Sequence, residues 1–533
     1  MWRMSLLTRA AATLAATAVV LAPSTVGAAH ADDRPLPSAD AFYQYGADGQ
    51  PATPPATSQP GDVIDSRSVP LPTMVDLVNA LNASSGKQFT TFSIQATQLL
   101  YRTQNELGQP SATVTTVLKP TDLDPAVPSK GVVAYLSYYD GLSDSCDPSY
   151  TLQDGSINGE KAVIGSLLEA GYTVTVPDFE GETLDWAAGH ENGKSTLDAI
   201  RATETQLGLP ASTKVGTIGY SGGSFAGEWA AELAPKYAPS VNLIGTAIGG
   251  IPANLRDLVK YVDGNADTDR DKWFGVIPAA TVSLGRAVGK DFVSEYGSDY
   301  GKQLAGEVQD KCIADFAAAY PGKHLSDLVK PGVDFLNEPD IKPLVDGLTM
   351  GTGGTPKSPM LMFNGNNDGI GDGVMPLADV KALAARYCTA GLPVQFNEQT
   401  GPHGSVGNIF MIQAIGYLAD RFAGKPAPSN CARAATPPTP PALTQKAIHA
   451  KLKGHSKRQK DVLVVTAKGA TGAKVKLFRA GHKKAIGHGT IHKNGKVTIK
   501  VKDRNGSAKT RYHATVGATA TTKAARTKVL RLR

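Results

Sequence analysis

Residues 215–237 read Val215-Gly-Thr-Ile-Gly-Tyr-Ser221-Gly-Gly-Ser-Phe-Ala-Gly-Glu-Trp-Ala-Ala-Glu-Leu-Ala-Pro-Lys-Tyr237. The stretch up to Tyr220 is a short apolar run of the kind that forms a buried strand, and the stretch from Ser224 has helical character. Between them lies Gly219-Tyr220-Ser221-Gly222-Gly223, a G-x-S-x-G string. A serine on a sharp strand-to-helix turn carries its hydroxyl above the sheet, and glycines on either side permit the tight backbone. The helix N-terminus behind it offers N–H groups and positive potential to a developing oxyanion. The same string could be a glycine-rich turn without chemistry. The strand before it and the helix after it favour Ser221 as a nucleophile.

Outward from this turn, strands and helices alternate. Toward the N-terminus, Ser195–Leu207 reads as a helix, Gly171–Pro177 as a strand and Gly159–Ala170 as a helix. Lys130–Ser137 and Gln98–Leu118 are rich in β-branched and aromatic residues and read as strands. Asp32 to about Pro72 reads as an extended arm with little regular structure. On the C-terminal side, Val241–Gly249 is a further strand. The alternation predicts an α/β fold, a mostly parallel sheet covered by helices on both faces. The rhythm breaks between about residues 251 and 356, a helical stretch suited to a lid inserted between two strands. It resumes with strand Ser358–Phe363, helix Leu377–Cys388, strand Leu392–Asn397 and helix Val406–Phe422.

A nucleophilic serine needs a base, and the histidines narrow the choice. Of ten, His30 lies near the N-terminus and six lie beyond residue 445, leaving His190, His324 and His403. In a strand–elbow–helix fold of this kind the acid and then the histidine follow the serine. His403, in Thr400-Gly-Pro-His-Gly-Ser405 directly after a strand, fits that order; His190 precedes the serine and His324 falls in the inserted block. The acid belongs after the strand ending near Phe363, where Asn364-Gly-Asn-Asn-Asp368-Gly-Ile-Gly-Asp372 offers two carboxylates. Asp368, nearer the strand end, is the first choice, with Asp372 the alternative. The same loop has part of the oxygen-ligand spacing of a calcium loop, but Met375 stands where the bidentate Glu belongs and no helix precedes it, so no metal is expected. Gly222 N–H is one expected oxyanion donor, and the loop Tyr135-Leu-Ser-Tyr-Tyr-Asp140-Gly141 is the natural source of another, with Asp140 a candidate. No cofactor is implied.

The ends of the chain carry other signals. Met1–Arg9 holds two arginines and no acid, Ala10–Pro23 is apolar, and Ala29-His-Ala31 follows: the layout of a secretory signal peptide over residues 1–31. The apolar run is shorter than the ~20 residues a membrane-spanning helix requires, and no later stretch is long enough. In an exported chain the four cysteines, Cys146, Cys312, Cys388 and Cys431, suggest two disulfides, with three pairings open. Residues 32–433 form the expected catalytic body. Residues 434–444 are a Pro-rich linker, extended and semi-rigid. Beyond it, short alternating strands predict a small all-β, sandwich-like domain over residues 445–533. That segment holds 24 Lys/Arg against 2 Asp/Glu, a net +22, whereas the remainder nets −16. Such charge suits an anionic cell-wall or lipid surface. With only Phe478 and Tyr512 as aromatics, base-specific nucleic-acid recognition is not expected.

These motifs together resemble the secretory lipase family, the lipase A-like α/β-hydrolases. The resemblance covers roughly residues 38–431. It rests on Asp40-Ala-Phe-Tyr43, Cys146-Asp-Pro-Ser-Tyr150, Val176-Pro-Asp-Phe-Glu-Gly181 and Leu197-Asp-Ala-Ile-Arg-Ala202. The Gly-Tyr-Ser221-Gly-Gly turn, Gly249-Gly-Ile-Pro-Ala253 and Asn364-Gly-Asn-Asn-Asp368 with His403 downstream complete it. It implies a secreted carboxylic ester hydrolase acting on lipid-like esters under a helical lid. It also implies a triad of Ser221, Asp368 and His403, an oxyanion hole of Gly222 and Asp140, and disulfides Cys146–Cys312 and Cys388–Cys431. Two departures stand out: the loop after Asp368 is longer and richer in glycine, and Thr400-Gly-Pro replaces a more acidic approach to His403. Competing expectations are a peptidase or acyltransferase on the same residues, and a surface-binding protein whose hydrolase body is vestigial.

Overall fold

The structure is a computed structural model that describes residues 34–45, 53–71, 93–121, 129–154, 158–263, 271–431, 447–457, 459–503, 508–518 and 523–532. The expected signal peptide and Pro-rich linker lie outside the described residues. The chain divides into two compact units, the first ending at Cys431.

The first unit is built on a nine-stranded sheet in the order β1-β2-β3-β5-β4-β6-β7-β8-β9. The strands are β1 Val63–Ser68, β2 Ile94–Gln104, β3 Pro110–Pro120, β4 Val132–Leu136, β5 Thr173–Pro177, β6 Val215–Tyr220, β7 Leu243–Gly249, β8 Met360–Asn366 and β9 Val394–Thr400. From β5 to β9 all pairings are parallel, and β1, β2, β3 and β5 pair antiparallel. The central strands β4, β5 and β6 are buried throughout, as a sheet covered on both faces demands. On one face, helices Gly159–Glu169 and His403–Phe422 pack Ile164, Leu167, Phe410 and Leu418 against Val133, Val174 and Ile218. On the other, helices Gly189–Gln206 and Gly222–Tyr237 contribute Leu197, Ile200, Ala226 and Ala230.

Two sequence expectations need correction. The N-terminal arm is not wholly irregular, since β1 joins the sheet edge through an antiparallel pairing with β2. Arg67 on β1 fastens the arm, with Nη1 2.6 Å from Asp40 Oδ2 and its guanidinium 4.3 Å from the Phe42 ring centre. The run Gln98–Leu118 is a hairpin rather than a continuous strand. It turns at Asn105–Gln109, where the Asn105 carboxamide accepts the Gln109 N–H at 2.8 Å, a local use of Asn that favours turns over strands.

Between β7 and β8 the chain leaves the sheet and forms a separate helical layer. Helices Leu255–Val262, Val276–Ala287, Phe292–Tyr296, Asp299–Val308, Ile313–Phe316, Leu325–Leu328 and Ile341–Gly347 build it. Polar caps start these helices: Asn254 accepts from Asp257 N–H and Ser298 from Gly301 N–H. Leu258, Phe274, Ile277, Leu304 and Phe316 give the layer its own core. Cys146, just after β4, is bonded to Cys312 in this layer, and Cys388 to Cys431. Among the described residues, no helix is long and apolar enough to cross a membrane.

The second unit contains two small antiparallel sheets around one apolar core that includes Leu463, Val475, Leu477, Ile499 and Tyr512. The first sheet is β10-β11-β14, formed by Lys451–Lys457, Lys460–Thr466 and Lys496–Lys502. The second contains β12 Lys474–Arg479, β13 Ala485–Thr490, β15 Thr510–Val516 and the short β16 Ala525–Arg526 and β17 Leu530–Leu532.

Candidate active site

Ser221 sits between β6 and the helix starting at Gly222, with φ 55° and ψ −122°. A left-handed φ is unusual for a residue with a side chain and reports local strain, which such turns carry at functional sites. The glycines are explained by contact. A Cβ on Gly219 would lie 2.2 Å from the Gly223 carbonyl oxygen, and one on Gly223 2.0 Å from that of Leu136. The tight turn therefore excludes side chains at both flanking positions and lets the helix start touch the end of β4.

His403 Nε2 lies 3.0 Å from Ser221 Oγ, and its Nδ1 lies 2.8 Å from Asp372 Oδ2. The helix expected from Val406 begins at His403 itself, behind Pro402. Tyr220 donates its hydroxyl to the His403 carbonyl at 2.6 Å, and the two rings are 4.9 Å apart. Asp372 is fully buried. Its Oδ1 accepts the N–H groups of Val374 and Met375, at 3.0 and 2.7 Å, which leaves Oδ2 for the imidazole. His403 N–H also donates to the Asp372 carbonyl at 2.8 Å.

The acid in contact with His403 is thus Asp372, whereas Asp368, the first choice from sequence, lies elsewhere on the loop. The reason is the path of the loop. After β8 the chain makes a small excursion, closed by a hydrogen bond from Asn367 N–H to Gly371 O and by pairing of Gly371 with Pro376. Asp368 lies on its exposed outer side, where Oδ1 accepts from Ile370 and Gly371 N–H and Oδ2 from the Tyr261 hydroxyl. Four residues later the chain has returned to the strand end, and Asp372 faces inward. Both carboxylates are engaged by donors of the protein. His190 pairs with Glu106 at 2.6 Å, and His324 lies 3.8 Å from Asp263.

Asp140, on the loop after β4, comes to the other side of the serine. A Cβ on Gly222 would lie 1.6 Å from Asp140 Oδ1, so only glycine fits beneath this carboxyl. Asp140 has φ 24°, and among the described residues Oδ1, one of its two carboxyl oxygens, has no hydrogen-bond partner. Burial pushes its carboxyl up to about 7, against the opposing pull of His403 and of hydrogen bonds from Trp186 and Gly222 N–H. Near neutrality this group is poised between an acceptor and a hydrogen-bond donor.

Two cavities meet at Ser221. One is apolar and reaches into the helical layer past Trp186, Phe225, Ile277, Leu284, Ile341 and Val345. The other is mixed in character and includes Tyr138, Glu160, Asn408 and Met411. Asp140, Trp273 and Ile313 border both. The Trp273 ring stands edge-on to His403 at 5.3 Å. Burial raises the Glu160 carboxyl to about 7; it accepts from Tyr135, Ser137 and the Tyr138 N–H. Trp273 and Glu160 were not singled out from sequence. Each lies far along the chain from Ser221, in a helical pattern that carries no catalytic signature.

The secretory lipase family model matches residues 149–430. A secreted triacylglycerol lipase of Malassezia furfur is 32% identical over 346 residues, spanning 62% of this chain and 87% of that protein. A probable inactive lipase of Mycobacterium tuberculosis is 30% identical over 423 residues, spanning 75% and 86%. Candida antarctica lipase A, a solved structure, matches with a TM-score of 0.64 and 26% identity, over 75% of this chain and 89% of that one.

Proposed function

Because the chain belongs to the secretory lipase family, we propose that it hydrolyses lipid esters, triacylglycerols above all, through an acyl-enzyme on Ser221. The observation that carries this reading is the continuous hydrogen-bonded line Asp372–His403–Ser221. His403 Nε2 takes the hydroxyl proton as Ser221 Oγ attacks the ester carbonyl carbon. The carbonyl oxygen becomes an oxyanion, stabilised by Gly222 N–H and by Asp140, which in its neutral form donates a hydrogen bond. Collapse of this intermediate breaks the bond to the alcohol oxygen, which leaves with the proton from His403. Water then attacks the acyl-serine with His403 again as base, and the carboxylic acid departs. Asp372 holds the imidazole in the required tautomer and stabilises its cation.

The cavities suggest where each half of the ester lies. The apolar cavity suits the acyl chain, and the mixed one, with Glu160 and Asn408, suits the polyol side. The helical layer between β7 and β8 acts as the lid. The protein works outside the cell, and its basic second unit holds it on an anionic surface there.

That one relative is named a probable inactive lipase makes activity the first thing to test. p-Nitrophenyl esters of graded chain length should be cleaved, peptide anilides should not, and Ser221→Ala should lose at least about 10⁴-fold in kcat. Full esterase activity in Ser221→Ala would reject the mechanism.

A further inference from the structure

The sheet β10-β11-β14 turns one face to the core and the other to solvent. On β14, Val497, Ile499 and Val501 are buried, while Lys496, Thr498, Lys500 and Lys502 are exposed. On β10, the exposed residues include Lys451, Lys453, His455 and Lys457. The register sets these residues opposite one another across β11. Lys451 pairs with Thr466, which pairs with Lys496, and Lys457 pairs with Lys460, which pairs with Lys502. The two rungs between cross β11 at the half-buried Val464 and Val462. The face is therefore a shallow trough whose outer strands carry lysine rows, broken at His455 and Thr498, and whose floor is Val462 and Val464 between Lys460 and Thr466.

Residues two apart on a strand recur at about 6.8 Å, and two strand spacings separate the walls by about 9.6 Å. Like charges set directly opposite one another, as at Lys457, Lys460 and Lys502, weaken a sheet unless something else compensates them. Among the described residues none of these seven lysines forms an ion pair. Of the segment's two acids, Asp461 is buried and accepts from Tyr512 at 2.5 Å and Ser456 at 2.6 Å, turned away from the lysines' face.

We propose that this lysine-walled trough binds a single extended phosphodiester polymer of the cell envelope, of the poly(glycerol phosphate) type. The inference rests on the reading of the second unit as an anionic-surface anchor and names its face and partner. Rows of cations recurring every second or fourth residue along two strands match a linear chain of recurring charges held between them. The segment's two aromatics, Phe478 and Tyr512, lie on β12 and β15 in the other sheet, so nucleic-acid bases would find no stacking partner on this face. A bilayer is met best by protruding apolar or aromatic side chains, and the floor here is valine recessed between lysines. Lysine engages phosphate as a point charge, whereas fixed bidentate pairing with carboxylates favours the arginine fork, and β10, β11 and β14 contain no arginine.

The test compares the full-length protein with two quadruple variants that lose the same charge. One replaces Lys451, Lys453, Lys496 and Lys500 with Gln on the trough; the other replaces Lys474, Lys476, Lys483 and Lys484 with Gln off it. With purified poly(glycerol phosphate) at low salt, the trough variant should bind at least about tenfold more weakly, and the control within about threefold of the parent. Both should hydrolyse a soluble ester at the parental rate, which reports the first unit, and both should keep the parental thermal transition of the second unit, which reports the fold that carries the substitutions. Equal weakening of the two variants overturns the trough while leaving the anchor. Undiminished binding after removal of residues 432–533 overturns the anchor itself. Equally tight binding of phosphatidylglycerol vesicles or duplex DNA overturns the choice of partner.

Discussion

At the scale of single residues the account turns on Asp372. Its side chain is buried, held by two backbone N–H groups and aimed at His403. Asp372→Asn keeps the shape but supports the wrong imidazole tautomer, so kcat/KM for a p-nitrophenyl ester should fall by about 10³–10⁴. Asp368→Asn, on the exposed turn, should stay within about tenfold of the parent, through loosening of the loop alone. The reverse order would assign the roles the other way. That Ser221 and His403 come together was legible in sequence, because the turn string and chain order constrain them. The choice between two carboxylates was not, because closeness to a strand end in sequence does not fix which residue a glycine-rich excursion returns to the sheet.

At the scale of elements, the helical layer builds the apolar cavity. Its position between two strands was readable from the break in alternation, but its inner wall was not, since the lining residues come from several short helices with irregular spacing. Val345, on helix Ile341–Gly347, is buried beside Phe292 and Ile341 at that wall. Val345→Phe fills part of the cavity at a cost of about 1–3 kcal/mol in stability. The ratio of kcat/KM for a twelve-carbon ester to that for a four-carbon ester should fall, by roughly tenfold for lost methylene burial. An unchanged ratio would place the acyl chain elsewhere. The arm illustrates the opposite failure of sequence reading. Val63–Ser68 lacks a strong strand pattern and is a strand because it pairs with β2, which decides its conformation from outside the segment.

At the scale of the whole molecule, the first unit stands out for its buried acids. Burial raises the carboxyls of Asp140, Glu160 and Asp178 to about 7 and those of Asp185 and Asp198 to about 6. Asp147, Glu180, Glu182 and Glu191 are also raised, by burial first. Each folded value lies above the unfolded one, near 4. The stability they contribute is therefore full below about pH 4 and lost as pH rises through 6 and 7. Thermal unfolding should come at a higher temperature at pH 5 than at pH 8, by at least about 3 °C; a midpoint rising with pH over that range would contradict this. Charge composition showed that the body is acidic, but not that so much of the acid lies inside. The claim on which all else depends is that Ser221 is the nucleophile, and covalent labelling with a fluorophosphonate, followed by peptide mapping, tests it most directly. A single adduct on Ser221 is expected, absent from Ser221→Ala and formed more slowly in Asp372→Asn. An adduct on another serine, or undiminished labelling of Ser221→Ala, would contradict it.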